Sequence, residues 1–140
     1  MELYNEFLPL CRADMLARGW QDVDFVLVTG DAYVDHPSFG AAIIGRVLEA
    51  EGFRIGMLSQ PDFTTCESFK EYGKPRYGFF IGGGNVDSMV AHYSVAKIRR
   101  KEDEYTPGGK AGKRPDRCAT VYTRLAKQAY PDMPVILGGL

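Results

Sequence analysis

The chain is poor in cysteine, with Cys11, Cys66 and Cys118 in 140 residues. An odd count at such wide spacings fits neither a disulfide framework nor a metal knuckle, so the three read as reduced thiols of a cytoplasmic protein. Long hydrophobic runs are also missing: no window approaches the ~18–20 consecutive apolar residues of a membrane span. The start, Met1-Glu2-Leu3-Tyr4-Asn5-Glu6, lacks the basic and apolar regions of a secretory signal, which argues against export. Charge of one sign is not in excess, since 17 Lys+Arg balance 18 Asp+Glu for a net −1. No global field then draws the chain to nucleic acid or anionic lipid. His36 and His92 are the only histidines, and neither has a partner at a helical or knuckle spacing, so no metal is expected.

What remains is a regular alternation of short apolar runs with longer helical-period segments, the pattern of an α/β domain. The runs near 25–29, 53–58, 77–81 and 135–137 lack polar alternation, as expected of parallel strands covered on both faces. The reading is a three-layer, flavodoxin-like parallel sheet of at least four strands in order 2-1-3-4 with flanking helices. Residues 1–24 form a lead-in with a short helix closed by Gly19, and 25–140 a single domain that reads as a fragment of a longer protein. Ser38 is expected to cap a helix whose small Gly40, Ala41, Ala42 and Gly45 let the backbone sit close to the sheet, while Ile43, Ile44, Val47 and Leu48 supply its apolar surface. Asn85 and Asp116 are expected to cap two later helices, the last with an apolar stripe from Cys118 to Ala129. The stretch 99–117 is long, charged and rich in Gly and Pro, the mark of a functional or mobile loop.

In an open parallel sheet ligands bind beyond the carboxyl ends of the strands. The loop Gly30–Ser38 concentrates proton-handling and hydrogen-bonding groups there: Asp31, Tyr33, Asp35, His36 and Ser38. Ordinary turn chemistry accounts for the same residue types. Gly82-Gly83-Gly84 followed by Asn85 resembles an anion-binding nest, with Asp87 and Ser88 at the start of the next helix. Candidate ligand-binding residues are therefore Asp31, Tyr33, Asp35, His36, Ser38, Gly83, Asn85, Asp87 and Ser88. Lys113, Arg114 and Arg117 form a basic loop, together with Lys110. It lacks the interleaved aromatics of a single-strand nucleic-acid platform and reads as solvated or ion-paired.

Several long motifs resemble one family. They are Leu27-Val28-Thr29-Gly30-Asp31-Ala32-Tyr33-Val34-Asp35-His36-Pro37-Ser38-Phe39-Gly40, Gln60-Pro61-Asp62, Gly84-Asn85-Val86-Asp87-Ser88-Met89-Val90, Tyr105-Thr106-Pro107, Ala111-Gly112-Lys113-Arg114-Pro115-Asp116-Arg117 and Val135-Ile136-Leu137-Gly138-Gly139. From about Phe7 onward the chain is similar to the N-terminal domain of YgiQ-type radical SAM proteins. The resemblance implies a cobalamin-binding-like α/β module that precedes a radical SAM barrel in the same full-length chain. A 4Fe–4S cluster and S-adenosylmethionine are expected there, because the family's Cys-x3-Cys-x2-Cys is absent from this sequence. No catalytic residue carries over. The cobalt-ligating pattern Asp-x-His-x-x-Gly is not matched either, since Val34 and Phe39 stand at its Asp and Gly positions, which argues against cobalamin. The expected role is a non-catalytic accessory domain that contributes the Gly30–Ser38 and Gly82–Ser88 loops to recognition of an unknown substrate. The alternatives are a stand-alone module for cobalamin, a nucleotide or another phosphate-bearing ligand, and an architectural docking or dimerisation domain.

Overall fold

The computed structural model describes residues 7–138. Four strands, β1 (Phe25–Thr29), β2 (Ile55–Ser59), β3 (Gly78–Gly82) and β4 (Val135–Gly138), form one parallel sheet in the order β2-β1-β3-β4. Around it lie α1 (Arg12–Ala17), α2 (Gly40–Ala50), the five-residue α3 (Ser88–His92) and α4 (Cys118–Ala129), with 3-10 turns at Glu67–Lys70 and Pro107–Gly109. Gly19 and Gly73 take positive φ, +78° and +75°, directly after helical segments. A left-handed residue there ends a helix without the strain a Cβ would bring. The sequence pattern of Thr65–Tyr72 predicts a helix ended by Gly73; the structure forms only the 3-10 turn Glu67–Lys70 there.

The two faces of the sheet are covered unequally. On one, Val26, Val28, Phe79 and Ile81 meet Phe69, Tyr72, Tyr122 and Leu125 from the Glu67–Lys70 region and α4, all nearly inaccessible to solvent. Each side chain so buried contributes roughly 1.5–3 kcal/mol. Gly56 makes room for Tyr72, whose ring occupies the space a Cβ would need. The Tyr72 hydroxyl reaches the carbonyls of Met57, at 2.6 Å, and Pro9, at 2.9 Å. Pro9 also accepts from the N–H of Met57, so the segment before α1 is bound to β2. Leu8 and Met15 belong to the core.

On the other face α2 covers Leu27, Ile55 and Met57 together with Leu8. Its small residues make the close approach the sequence suggested, but of the four larger apolar residues only Leu48 packs against this core. Ala42 and Gly45 are its buried residues, and a Cβ on Gly45 would overlap Leu8. Ile43, Ile44 and Val47 instead stand 45%, 42% and 56% exposed. Small residues bring the helix backbone close to the sheet, and that close approach turns the β-branched side chains away from it. The capping expectations are corrected as well. Phe39, not Ser38, is the N-cap of α2, without a side-chain bond. Asp87, not Asn85, caps α3 by accepting from the N–H groups of Met89 and Val90. Arg117, in the left-handed conformation, precedes α4 in place of Asp116. Asn85 and Asp116 are each engaged in tertiary bonds described below.

Candidate functional site

Strand β1 leads outward to β2 in one direction and β3 leads to β4 in the other, so the topological switch point lies between β1 and β3. Loops diverging from that point leave a crevice. It is present as a cavity of about 110 Å³, bounded by Asp31, Tyr33 and Phe39 from the first loop, Gly82–Asn85 from the second, and Ile44, Phe80 and Ile136 below. Its lining is mainly apolar and aromatic, with the polar groups gathered at the rim.

The rim is held by one carboxylate. Asp31 is buried, and its Oδ2 accepts the N–H of Asn85 at 2.7 Å. Gly84, at φ +103°, brings the backbone against that carboxylate so closely that a Cβ would overlap it. The triple-glycine nest thus has an anion already: the side chain of Asp31. Asn85 Nδ2 donates to the Ser38 carbonyl at 3.1 Å, and the Ala32 N–H to Tyr105 O at 2.8 Å. These bonds pin the two candidate loops to each other and to the long loop.

Beneath the rim lies a buried charge cluster. Arg114, 1% exposed, grips Asp103 with Nε to Oδ2 at 2.8 Å and Nη2 to Oδ1 at 2.9 Å. Its Nη2 also stands 3.2 Å from Asp31 Oδ1, without the alignment of a hydrogen bond. Burial pushes the Asp31 carboxyl above the usual range, despite the Asn85 N–H and the Arg114 charge. Burial acts on Asp103 in the same sense, but the Arg114 bonds and the Tyr105 N–H outweigh it and hold that carboxyl below its usual value. Further along, His92 is buried with Nδ1 2.5 Å from Asp116 Oδ1 and Nε2 4.0 Å from Asp103 Oδ2. Tyr93 donates its hydroxyl to Asp116 Oδ2 at 2.7 Å, and that bond leads the depression of the Asp116 carboxyl.

The remaining candidates divide by environment. Tyr33 is half-buried beside the cavity, its hydroxyl raised in pKa mainly by burial. Asp35 is exposed and paired with Arg46, Oδ1 at 3.1 Å from Nε and Oδ2 at 2.5 Å from Nη2, which holds its carboxyl low. His36 uses Nδ1 to accept the Ser38 N–H at 3.1 Å, a local turn bond. Gly83 gives its carbonyl to Cys118 Sγ at 3.4 Å, and Ser88 Oγ accepts the Cys118 N–H at 3.2 Å. Burial raises the Cys118 thiol, which makes it a poor nucleophile. Of the basic loop, Lys113 and Arg117 are exposed, whereas Arg114 is internal. Asp103, His92 and Asp116 were missed as members of the cluster. For Asp103 and Asp116 the signal was the concentration of charge within 99–117; His92 lies outside that stretch and carried none.

The family model described as "Radical SAM N-terminal" matches residues 7–140. The chain belongs to that family. It is 54% identical over 136 residues to a UPF0313 protein of Clostridium perfringens, covering 97% of this chain and 20% of that protein. It is 58% identical over 134 residues to a UPF0313 protein of Rhodopseudomonas palustris, covering 96% and 20%. A Clostridium botulinum UPF0313 protein is 54% identical over 135 residues. The chain spans about a fifth of the length of these relatives. No solved structure matches it. The family implies an iron–sulfur cluster and S-adenosylmethionine for the longer protein, but this chain's thiols do not fit a cluster: Cys11 precedes α1, Cys66 precedes a 3-10 turn and Cys118 opens α4. Among the described residues no three His, Cys, Asp or Glu side chains are grouped to hold a metal ion, and no helix is long and apolar enough to cross a membrane.

Proposed function

We propose that the chain is the N-terminal accessory domain of a longer radical SAM protein and that it presents the crevice between β1 and β3 to the substrate of a barrel carried elsewhere in that protein. The observation that carries this reading is the cavity of about 110 Å³ at the switch point, lined mainly by apolar and aromatic side chains with Asp31, Tyr33 and Asn85 among them. Small-molecule sites have that composition. Tyr33 and the Gly82–Asn85 backbone form its polar rim, while Asp35, His36 and Ser38 occupy the exposed part of the same loop.

A non-catalytic role is supported by the state of the polar groups. The acidic and basic side chains near the crevice are engaged with one another: Asp31 and Asp103 with Arg114, and Asp35 with Arg46. A phosphate-bearing ligand is less favoured, because the Asn85 N–H that would meet it is bonded to Asp31.

The test uses the full-length protein with Tyr33, Asp35 and His36 replaced together by Ala. The expected result is reduced conversion of substrate in cell extract with S-adenosylmethionine cleavage unchanged. Undiminished conversion overturns the reading. Titration of the wild-type protein with cobalamin, ATP or inorganic phosphate is expected to leave its melting temperature unchanged, since only a ligand bound by the folded state raises it.

A further inference from the structure

The wall of the crevice between β1 and β3 combines aromatic rings with a single acid. Tyr33 and Phe39 stand in it from the first loop and Phe80 from β3, and Tyr105 braces Phe39 edge-on with 6.4 Å between ring centres. Among the described residues that line the crevice there is no Lys, Arg or His, and Asp31 is the one acid. An aromatic ring has a negative face, so a cation packed among several rings is attracted by each, most strongly where water is excluded.

The charges behind the wall favour the same sign of ligand. Arg114 gives both prongs of its guanidinium to Asp103 and stands 3.2 Å from Asp31 Oδ1, which has no hydrogen-bond partner. Two buried carboxylates therefore share one guanidinium, and negative charge is in excess beside an apolar cavity. Burial raises the Asp31 carboxyl because that compensation is incomplete. The chemistry of the wall also distinguishes between cations. Beyond Asp31, Asn85 and the backbone of Gly82–Gly84, it is mainly hydrocarbon and ring. An ammonium N–H turned toward such a wall loses its water without gaining an acceptor, whereas a methylated ammonium carries its charge beneath methyl groups. The volume of about 110 Å³ is below the roughly 150 Å³ of a cavity that holds benzene, which suits a headgroup and not a whole large molecule.

We infer that the crevice takes a methylated ammonium group of the substrate, held among the rings of Tyr33, Phe39 and Phe80 by the negative charge of Asp31. The inference deepens the proposed function and rests on its placing of substrate in this crevice.

The full-length protein is titrated by calorimetry at low ionic strength with three probes: choline, dimethylbutanol (the uncharged analogue with carbon in place of nitrogen) and ethanolamine. Choline is expected to bind about tenfold more tightly than either of the others. Asp31→Asn keeps an acceptor for the Asn85 N–H, and Phe39→Leu keeps an apolar side chain without the ring. Each is expected to weaken choline by about threefold or more while dimethylbutanol changes by less than about twofold. Equal affinity for choline and dimethylbutanol overturns the inference, and ethanolamine binding as tightly as choline overturns the methylated group. A choline preference that survives both substitutions places its site elsewhere in the protein and also overturns the inference, as does absence of choline binding. The crevice as a substrate site is read separately, by conversion in the variant lacking Tyr33, Asp35 and His36, so failure of one reading is distinguishable from failure of the other.

Discussion

Two arginines hold the loops at the carboxyl end of the sheet by the same two-pronged grip on an aspartate, and they work under opposite conditions. The side chains of Arg114 and Asp103 are 0% and 1% exposed, and those of Arg46 and Asp35 are 29% and 23% exposed. In the buried pair, desolvation makes each charge dependent on the other, so removal of one leaves an uncompensated ion in the interior. In the outer pair, water screens both partners and takes the place of whichever is lost. Similar geometry therefore predicts different consequences, and four measurements, each by urea unfolding followed at Trp20, sharpen the contrast.

The largest effect is expected for Arg114→Met, which strands Asp103 and Asp31 and should lower stability by about 3–5 kcal/mol. A loss below 1 kcal/mol would place this pair in the same class as the outer one. Asp103→Asn comes next, at about 1.5–3 kcal/mol, the range for hydrogen bonds to a charged group. Its pH dependence has a definite sign. Because the folded-state value of Asp103 is depressed, its contribution is present above the usual carboxylate pKa and is lost as pH falls through the folded value. The acid limb of the stability profile should therefore flatten in Asp103→Asn.

Asp31→Asn is expected to cost no more than about 1 kcal/mol, because an amide oxygen still accepts the Asn85 N–H and the burial penalty on the charge disappears. Its pH signature is opposite. The raised value of Asp31 means that protonation on acidification favours the folded state, so without it the acid limb should steepen. Arg46→Met is the smallest, about 0.2–1 kcal/mol, and the difference from wild type should shrink further in 1 M salt, where the Debye length is about 3 Å. An Arg46 effect indifferent to salt would mean that packing of its stem, not charge, holds the loop.

Much of the fold was legible in the chain. The four apolar runs and their parallel order came from local pattern plus the rule that crossovers are right-handed, and Gly19 and Gly73 end helical segments as their conformational freedom allows. The helix caps were less legible. Ser38, Asn85 and Asp116 all have capping chemistry, yet Asn85 and Asp116 bond partners tens of residues away, because a tertiary partner competes with the local N–H. The site was legible in part. Both loops were visible as chemistry-rich segments, but the pairing of Asp31 with Asn85 across 54 residues was not. The loop 99–117 carried a signal of length and charge but none of direction: its Asp103 and Arg114 turn into the interior, and Asp116 meets buried His92 from a partly exposed position.

The sequence by itself determined what depends on short-range order: which segments are strands, where helices stop, and that the sheet is parallel with its loops gathered at one edge. The tertiary structure decided which charges are buried and that Ile43, Ile44 and Val47 of α2 stand away from the sheet. Burial is a property of distant segments brought together, so one arginine of the basic loop became an interior ion while Lys113 and Arg117 stayed in water. The same packing turned Gly45 inward and Ile43, Ile44 and Val47 outward, because the close approach to Leu8 leaves no room for a side chain between them.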